Sequence, residues 1–443
     1  MKNINRLLAC LCVIAASSLF FYAPMHLYNL ISGYPANDFS IQWPFVRILT
    51  EPLYAFSFYA ITLNRNFYAP AIISWAAWTF FAALLYNLIK RRELKRLLIN
   101  IAYSMLFLAT LFAAAALLPL PGPKLIKPQG YIAVDLHSHT IASHDNISDA
   151  QSSLRFHALE GFDAFFDTEH NHTKGFGRFP PDVKMKDVFP GMQMSTRDGV
   201  SVILLSPKPF DGYQYDDMHL RDLIYKAHSN GMIVLMPHWW KWHKYTFEEL
   251  DAMGIDGFEI YNCGYRYFGE AEQKKMIDFA RDRNLIMTGS TDWHGWGYMS
   301  DVWTVIQGQP GDDIMQLLSK KPVTKVLLYR ENQSASAVRF IFEPFAAFYY
   351  YAKNADLTAI LSFMAWFSVL FILFSKKAGV YIKIYFPLAM SIVFGALVVY
   401  FYLIYIQFQE LNQIIPVTML PVTAGFCILW IFIWRLRSHG KII

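Results

Sequence analysis

Three histidines and two aspartates fall within the twelve residues 134–145, which read VDLHSHTIASHD. His137 and His139 stand two apart. On a strand such residues share a face, so both imidazoles can hold one ion. The chemistry recurs further along the chain. Residues 168–172 read TEHNH, with Glu169, His170 and His172, and residues 289–294 read GSTDWH, again with an acid and a histidine two apart, Asp292 and His294. Pro237-His238 and Glu259 add an imidazole and a carboxylate at two further positions. A lone His-x-His pair is weak evidence, because two nearby histidines are often solvated loop residues. Imidazole and carboxylate recurring at several neighbouring strand ends is how a multinuclear zinc, manganese or iron site is built. His219, His228 and His243 read instead as surface or helix residues.

The elements that must position these groups surround them. Short apolar runs occupy 132–137, 164–168, 200–205, 232–236, 257–261, 285–289 and 325–329, and polar helical stretches occupy 148–159, 219–230, 247–253, 270–284 and 312–320. Near-continuous apolar strands alternating with helices predict parallel strands buried on both faces. Seven repeats in about 200 residues suit a compressed α/β barrel. Such barrels place their chemistry at the C-terminal ends of the strands, which is where these histidines and carboxylates fall.

The rest of the chain is of another kind. Of 443 residues 55% are hydrophobic and only 16% charged, a balance that a soluble domain rarely shows. The apolar residues crowd into the two ends. Stretches 7–25, 71–89, 97–118, 357–374, 384–406 and 414–434 each approach the roughly 20 apolar residues that a spanning helix needs. The first reads as an uncleaved anchor, since no clean cleavage site follows it and more spans do. Arg47 and Glu51 interrupt 41–63, which reads as interfacial or re-entrant. Lys2 and Arg6, the basic loop 90–96, Lys376 with Lys377, and Arg435 with Arg437 all fall on one side if the chain crosses three times before its middle domain and three times after it. The positive-inside rule makes that side cytoplasmic and the domain extracytoplasmic, on the periplasmic face of a bacterial inner membrane. The net charge of +5 is small and its lysines and arginines flank apolar segments, so they report topology, and no nucleic acid is expected as a partner. Cys10, Cys12, Cys263 and Cys427 offer neither a disulfide framework nor a Cys-x-x-Cys zinc site.

The expected organisation is therefore an N-terminal transmembrane region 1–120, a Pro-rich spacer 121–129, a barrel 130–335, and a C-terminal region 336–443 that opens with the aromatic segment 337–352 and continues in three spans. Pro119, Pro121, Gly122, Pro123 and Pro128 make the spacer semi-rigid and hold the domain near the bilayer surface. The aromatic segment suits the headgroup region.

Several stretches also resemble one family. Residues 135–140 (DLHSHT), 161–171 (GFDAFFDTEHN), 190–196 (PGMQMST), 257–262 (GFEIYN) and 288–294 (TGSTDWH) resemble, in this order, the motifs of the PHP (polymerase and histidinol phosphatase) family. The resemblance covers roughly residues 130–330 and none of the apolar ends. It implies a distorted (β/α)7 barrel, here inserted between transmembrane helices, with up to three metal ions and mostly phosphoester hydrolysis. Carried over by position, His137, His139 and Asp292 would hold one ion. His170 and His294 would hold another with His144, or with Asp145 if the loop shifts by one. Two positions depart from the family pattern. Gln193 stands where a metal-bridging glutamate is usual, and Met236 where a histidine is usual, with His238 just beyond it. These departures imply one or two divalent ions (zinc, manganese or iron) rather than three, with Glu169 and Glu259 as carboxylates that could partly replace the missing charge.

The activity these residues imply is hydrolysis of a phosphate ester by metal-activated hydroxide, with His172 or His238 as the acid for the leaving group. The membrane context suggests a phosphorylated small molecule or a lipid-linked phosphate as substrate, with membrane lipids as neighbours. Two alternatives stand beside it: a degraded site serving as a non-catalytic metal sensor or scaffold, and a metal-dependent hydrolase of a non-phosphate bond. A transporter with a soluble insert ranks last, because the spans offer few polar residues at mid-membrane.

Overall fold

Branched and aromatic side chains run through 131–138, 201–205, 233–236 and 257–262, and each run forms a strand with its side chains buried on both faces. The computed structural model describes residues 27–44, 47, 51, 68–91, 93–117, 122–146, 148–241, 244–264, 269–295, 300–329, 337–354, 359–362 and 364–366. In chain order the strands are β1 (Tyr28–Asn29), β2 (Tyr34–Pro35), β3 (Ser40–Gln42), β4 (Lys124–Ile126), β5 (Tyr131–Ser138), β6 (Ala164–Asp167), β7 (Val188–Ser195), β8 (Ser201–Leu205), β9 (Ile233–Met236), β10 (Gly257–Asn262), β11 (Ile286–Ser290), β12 (Val302–Gln307) and β13 (Lys325–Leu328). Eleven of them join one sheet in the order β11-β10-β9-β8-β7-β6-β5-β12-β13-β1-β2, and β3 pairs with β4.

The sheet curls until its β11 edge returns to β5. Asp292 N donates to His137 O at 2.9 Å, His139 N donates to Trp293 O at 3.2 Å, and Ser138 bridges Trp293 in parallel. Seven strands, β5 to β11, therefore circle back on themselves, but they are not the seven expected. Val188–Ser195 joins the circle and 325–329 lies outside it, beyond β12. Nor are the strands all parallel. β5–β6, β6–β7, β9–β10 and β10–β11 are parallel, whereas β7–β8 and β8–β9 are antiparallel, as are both neighbours of β12. Between β7 and β8 the cause is local. Only five residues separate Ser195 from Ser201, and Gly199 turns them at φ +77°, a connection too short for a parallel crossover. The all-parallel expectation is thus corrected to a large mixed sheet.

Helices pack around the circle where capping residues start and stop them. Asp149 accepts from Ser152 N to open Ala150–Glu160, and Gly161, at φ +88°, closes it. A full capping box between Thr246 and Glu249 opens Phe247–Met253.

The domain reaches further towards the N-terminus than expected. β1 pairs with β13, and Leu27 and Phe39 are buried with Leu125, Ala133, Phe162, Trp303, Val305 and Leu327. Residues 27–42, assigned from the sequence to the membrane region 1–120, pack into the sheet, and the interfacial stretch 41–63 begins on β3. Between β3 and β4 the chain makes an excursion into two helices, Tyr68–Ile89 and Leu94–Leu117, joined through Asn100 Nδ2 and Asn87 Oδ1 at 2.9 Å. Among the described residues one helix, Pro70–Ile89, is long and apolar enough to cross a membrane. The aromatic segment forms Ala337–Ile341 and Glu343–Asn354 against the first helix, where Ser74 Oγ and Trp78 Nε1 both donate to Ile341 O and Trp78 meets Phe345 edge-on at 4.8 Å. The expected spans 7–25, 384–406 and 414–434 lie outside the described residues, as do most of 41–63 and 357–374.

Candidate metal centre

The end of β5 and the loop after β11 meet, and their side chains converge. His137 Nε2 and His139 Nε2 lie 3.1 Å apart, and each is 3.3 Å from Asp292 Oδ1. Gln193 Oε1, from β7, stands 3.2 Å from His137 Nε2. Donor atoms bound at about 2.0–2.1 Å to a single ion lie roughly 3.0–3.4 Å from one another, so these separations are the edges of a coordination polyhedron. Three lone-pair atoms facing each other in a buried pocket repel unless positive charge lies between them. The donor set fits a divalent zinc, manganese or iron ion.

Around this set each imidazole has its outer nitrogen tied. His137 Nδ1 donates to Glu259 Oε1 at 3.0 Å. His139 Nδ1 lies 3.3 Å from Ser143 Oγ, whose hydroxyl in turn donates to Glu169. His294 Nδ1 donates to Asp292 O at 2.7 Å. An acceptor on Nδ1 fixes the tautomer that leaves Nε2 bare towards the cluster, the second layer by which proteins orient metal-binding histidines.

A second set adjoins the first through His139. One ring nitrogen each of His139, His170 and His294 lie within 4.8 Å of one another. Asp145 joins the latter two, with Oδ1 at 3.4 Å from His170 Nε2 and Oδ2 at 3.2 Å from His294 Nε2. His144, the other candidate at this point of the loop, is exposed, and its ring centroid lies 5.4 Å from that of His170. His137 and His139 are fully buried, whereas the side chains of His170 and Asp145 keep 24% and 33% of their exposure, so the site opens along the second set.

Charge follows this geometry. Burial alone would lower the His137 imidazole, but the carboxylates of Asp292, Glu259 and Asp135 outweigh it and raise it from 6.5 to about 9. Burial and the neighbouring His294 and His170 hold His139 well below its ordinary value. Desolvation opposes the Asp145 carboxylate, yet the neighbouring His170 and His294 hold it well below the usual carboxylate range.

The other expected residues stand one layer back. Glu169 is spent on the loop after β5, accepting from Thr140 N at 2.9 Å and from the Thr140 and Ser143 hydroxyls. Glu259 supports His137 and accepts from His238 N at 2.9 Å and Asn262 Nδ2 at 3.0 Å. His238 turns Nε2 onto Gln193 Nε2 at 3.1 Å, and His172 donates from Nε2 to Ala142 O at 3.1 Å while Nδ1 accepts from Lys174 N. Neither of these two rings points a nitrogen at the ligand cluster through those contacts. Asp292, His238 and Asn171 adopt left-handed backbone conformations with φ of +47°, +30° and +58°, and such strain in non-glycine residues gathers at functional loops.

Sequence reasoning passed over Asp135, Ser143 and His157. Asp135 accepts from His137 N and Thr291 N, takes the Thr291 hydroxyl, and meets His157 Nε2 at 3.1 Å, tying the end of β5 to the loop that carries Asp292. Asp135 stands two residues before the first ligand, a signal that was available. His157 and Ser143 have no such mark.

No family model matches the sequence and no curated protein matches it. Among solved structures the chain is similar to PsfC from Pseudomonas syringae, at 17% identity and a TM-score of 0.36 over 50% of this chain and 98% of that one. It is similar to a two-domain protein from Bacteroides vulgatus containing a predicted PHP-like metal-dependent phosphoesterase, at 17% identity and a TM-score of 0.36 over 49% and 71% of the two chains. It is also similar to a lesion-specific endonuclease from Pyrococcus furiosus, at 10% identity and a TM-score of 0.34 over 44% and 57%.

Proposed function

We propose that this protein is a membrane-anchored, metal-dependent phosphoesterase whose site is the cluster of His137, His139, Asp292, His170, His294 and Asp145. The observation that carries the reading is the common aim of the imidazoles: three outer nitrogens are tied to protein acceptors and the inner ones face one pocket with carboxylate oxygens. His137, His139 and Asp292 would hold one divalent ion and His170, His294 and Asp145 a second. Bound there, such ions supply Lewis-acid polarisation of a phosphoryl oxygen and a water acidified towards neutrality.

The residues themselves favour a phosphate. The two ligand sets contain two carboxylates, Asp292 and Asp145, because Gln193 contributes a neutral amide. Two divalent ions would leave the pocket with a surplus of positive charge, which suits a group carrying about −1.5 to −2 at neutral pH better than a neutral amide. Substrate would enter along the open edge. There the Asp145 carboxylate lies 3.4 Å from His170 Nε2 and 3.2 Å from His294 Nε2 and lines the entrance with them. Gln193 donates to His238 Nε2, which leaves the proton of a neutral ring on Nδ1.

The membrane part of the reading draws support from chain parity. Residues 27–42 and 122–329 pack in one domain, so the excursion between them crosses any bilayer an even number of times. If both helices of that excursion, Tyr68–Ile89 and Leu94–Leu117, cross the bilayer, the count is even. With the basic loop 90–96 cytoplasmic, the domain faces the periplasm of a bacterial inner membrane.

The test is metal analysis and turnover of a soluble phosphomonoester by the purified full-length protein. Replacing His137 and His139 together by Ala should remove bound metal and lower turnover by at least 100-fold. Unchanged turnover would sink the reading. A non-catalytic metal sensor has one observation in its favour, the engagement of both His172 and His238 with other protein groups. Stoichiometric metal without turnover on any phosphoester would select it.

A further inference from the structure

Every chain connection between the domain and the apolar segments leaves from one end of the sheet, and it is the ligand-bearing end. The register shows this strand by strand. His137 and Ser138 close β5. Thr304 lies opposite Val134 on antiparallel β12, so Val302 is level with Leu136, one residue short of His137. Val302 lies opposite Leu328, where β13 ends and the chain departs for the aromatic helices. Leu328 lies opposite Tyr28, where the chain arrives from the N-terminus. Trp43, where the chain leaves β3, packs edge-on against Tyr329 at 5.9 Å, and Tyr329 N donates to Asp301 O. Gly122, where the chain returns from the second helix, donates to Glu160 Oε1 at 3.0 Å, and Ser300 N donates to Glu160 Oε2 at 2.8 Å. Four connections thus meet at the level of Ser300 and Asp301, six and seven residues after His294.

The reach of the connections decides what this means. The expected first span ends at residue 25, three residues or about 10 Å from Tyr28, and Leu117 is five residues or at most about 18 Å from Gly122. β13 is two strands from β5, about 10 Å across the sheet, whereas the opposite end of β5 lies some 25 Å away. If the apolar segments occupy a bilayer, the ligand-bearing end is the near end and the far end points into solvent. The open edge of the site, at His170 and Asp145, lies at that near end.

We propose that the site faces the bilayer and that its substrate is a phosphate monoester carried on a membrane lipid, presented from the headgroup layer instead of arriving from bulk water. The proposal rests on the phosphoesterase reading and deepens it. A lipid phosphate and a soluble phosphate present the same group to the ligands. Only the lipid is concentrated in the plane that the connections hold against the site.

Two measurements on the full-length, metal-loaded protein in phosphatidylcholine vesicles test it. The first compares phosphatidic acid in the same vesicles with soluble glycerol 3-phosphate. The expected result is a kcat/KM at least 10-fold higher for the lipid. Equal or faster turnover of the soluble ester overturns the lipid substrate and leaves the phosphoesterase reading intact, whereas turnover of neither overturns both. The second needs no activity. A fluorescent amino acid replaces Lys174, on the exposed surface beside the ligands, or Lys320, which precedes β13 at the other end, and energy transfer to a headgroup-labelled lipid is measured. Stronger transfer from position 174 supports the orientation, and equal or stronger transfer from position 320 overturns it.

Discussion

Glu259→Gln should weaken metal binding 10- to 100-fold while leaving the fold in place, and the reason can be followed atom by atom. The carboxylate is fully buried and takes three donors on two oxygens: His137 Nδ1 at 3.0 Å on Oε1, and His238 N at 2.9 Å and Asn262 Nδ2 at 3.0 Å on Oε2. Glutamine keeps the shape but offers one oxygen and one amino group. If its oxygen stays with His238 N and Asn262, its amino group faces His137 Nδ1, which must then accept. The imidazole proton moves to Nε2, the atom that lies 3.1 Å from His139 Nε2 and 3.3 Å from Asp292 Oδ1 and has to be bare to bind an ion. If the amide turns over, its amino group abuts two buried donors, at a cost of about 1–3 kcal/mol. Both orientations act in the same direction. Loss of a second-layer partner of this kind lowers metal affinity about 10- to 100-fold, or about 1.4–2.7 kcal/mol. Competition against a chromophoric chelator gives the affinity, and far-ultraviolet circular dichroism controls for folding. A folded E259Q protein with affinity within twofold of the parent would refute the assignment of His137 Nε2 as a ligand held by Glu259.

Four further outcomes follow from the same geometry. Asp145→Asn should cost the second ion and lower the metal content towards one per chain while His144→Ala leaves it unchanged, and elemental analysis showing the reverse would move the ligand to His144. A side chain on Gly175 would collide with the carboxylates of Glu169 and Asp167, so Gly175→Ala should cost about 1–3 kcal/mol in thermal unfolding, and an unchanged Tm would show that this packing is not tight. Asp167 is buried, and burial, then the Glu169 charge and a hydrogen bond with it, hold its carboxyl well above its ordinary 3.8. The folded state then keeps a proton that the unfolded state releases, so this group's contribution to stability is present below 3.8 and is lost as the pH rises. Asp167→Asn should flatten the fall of Tm as the pH rises above 3.8, and an unaltered slope would contradict the assignment. Chelation should lower Tm, since an ion present at 100 times its Kd stabilises by about 2.7 kcal/mol, and a Tm indifferent to chelator would show that the folded state holds no ion.

How much of this was legible in the sequence depended on the signal. Helical stretches were well marked by their polarity and period. Leu220–Ser229, Phe247–Met253, Glu270–Asp282 and Ile314–Ser319 fall within the expected 219–230, 247–253, 270–284 and 312–320. The strand count hid an exchange. Pro190 and Gly191 interrupt β7 with a turn signal, yet Pro190 sits opposite Asp167 in the sheet, and Gly191 lets the chain pass close to Thr168 and Leu204. β12 has a strongly β-forming sequence, Val-Trp-Thr-Val-Ile-Gln, but nothing local says that it runs against β5 and displaces β13 from the circle. Spacing two apart marked His137 with His139 and Asp292 with His294 as ligand types. It could not separate a carboxylate that meets an ion from one that meets a backbone amide, which is why Glu169 and Glu259 were grouped with the ligands. That difference is set by residues far off in sequence, Thr140 and Ser143 for Glu169, and His137 and His238 for Glu259.

Closing the sheet and assembling the ligands are one event in this fold. The first ligand set takes two residues from the end of β5 and one from the loop after β11, the two elements that meet when the curl completes. The same contact carries two backbone hydrogen bonds, Asp292 N to His137 O and His139 N to Trp293 O, so the ligands are brought together by the amides of their own residues. Asp135 adds a side-chain lock across this seam through Thr291. A chain with an open seam would separate Asp292 from the two histidines and lose its first site, while an ion bound there would hold the seam shut. The connections to the apolar segments leave beside this seam, near Ser300 and Asp301, a few residues from the loop that carries Asp292 and His294. In a fold built this way, the seam that closes the sheet is also the seam that brings the first ligand set together.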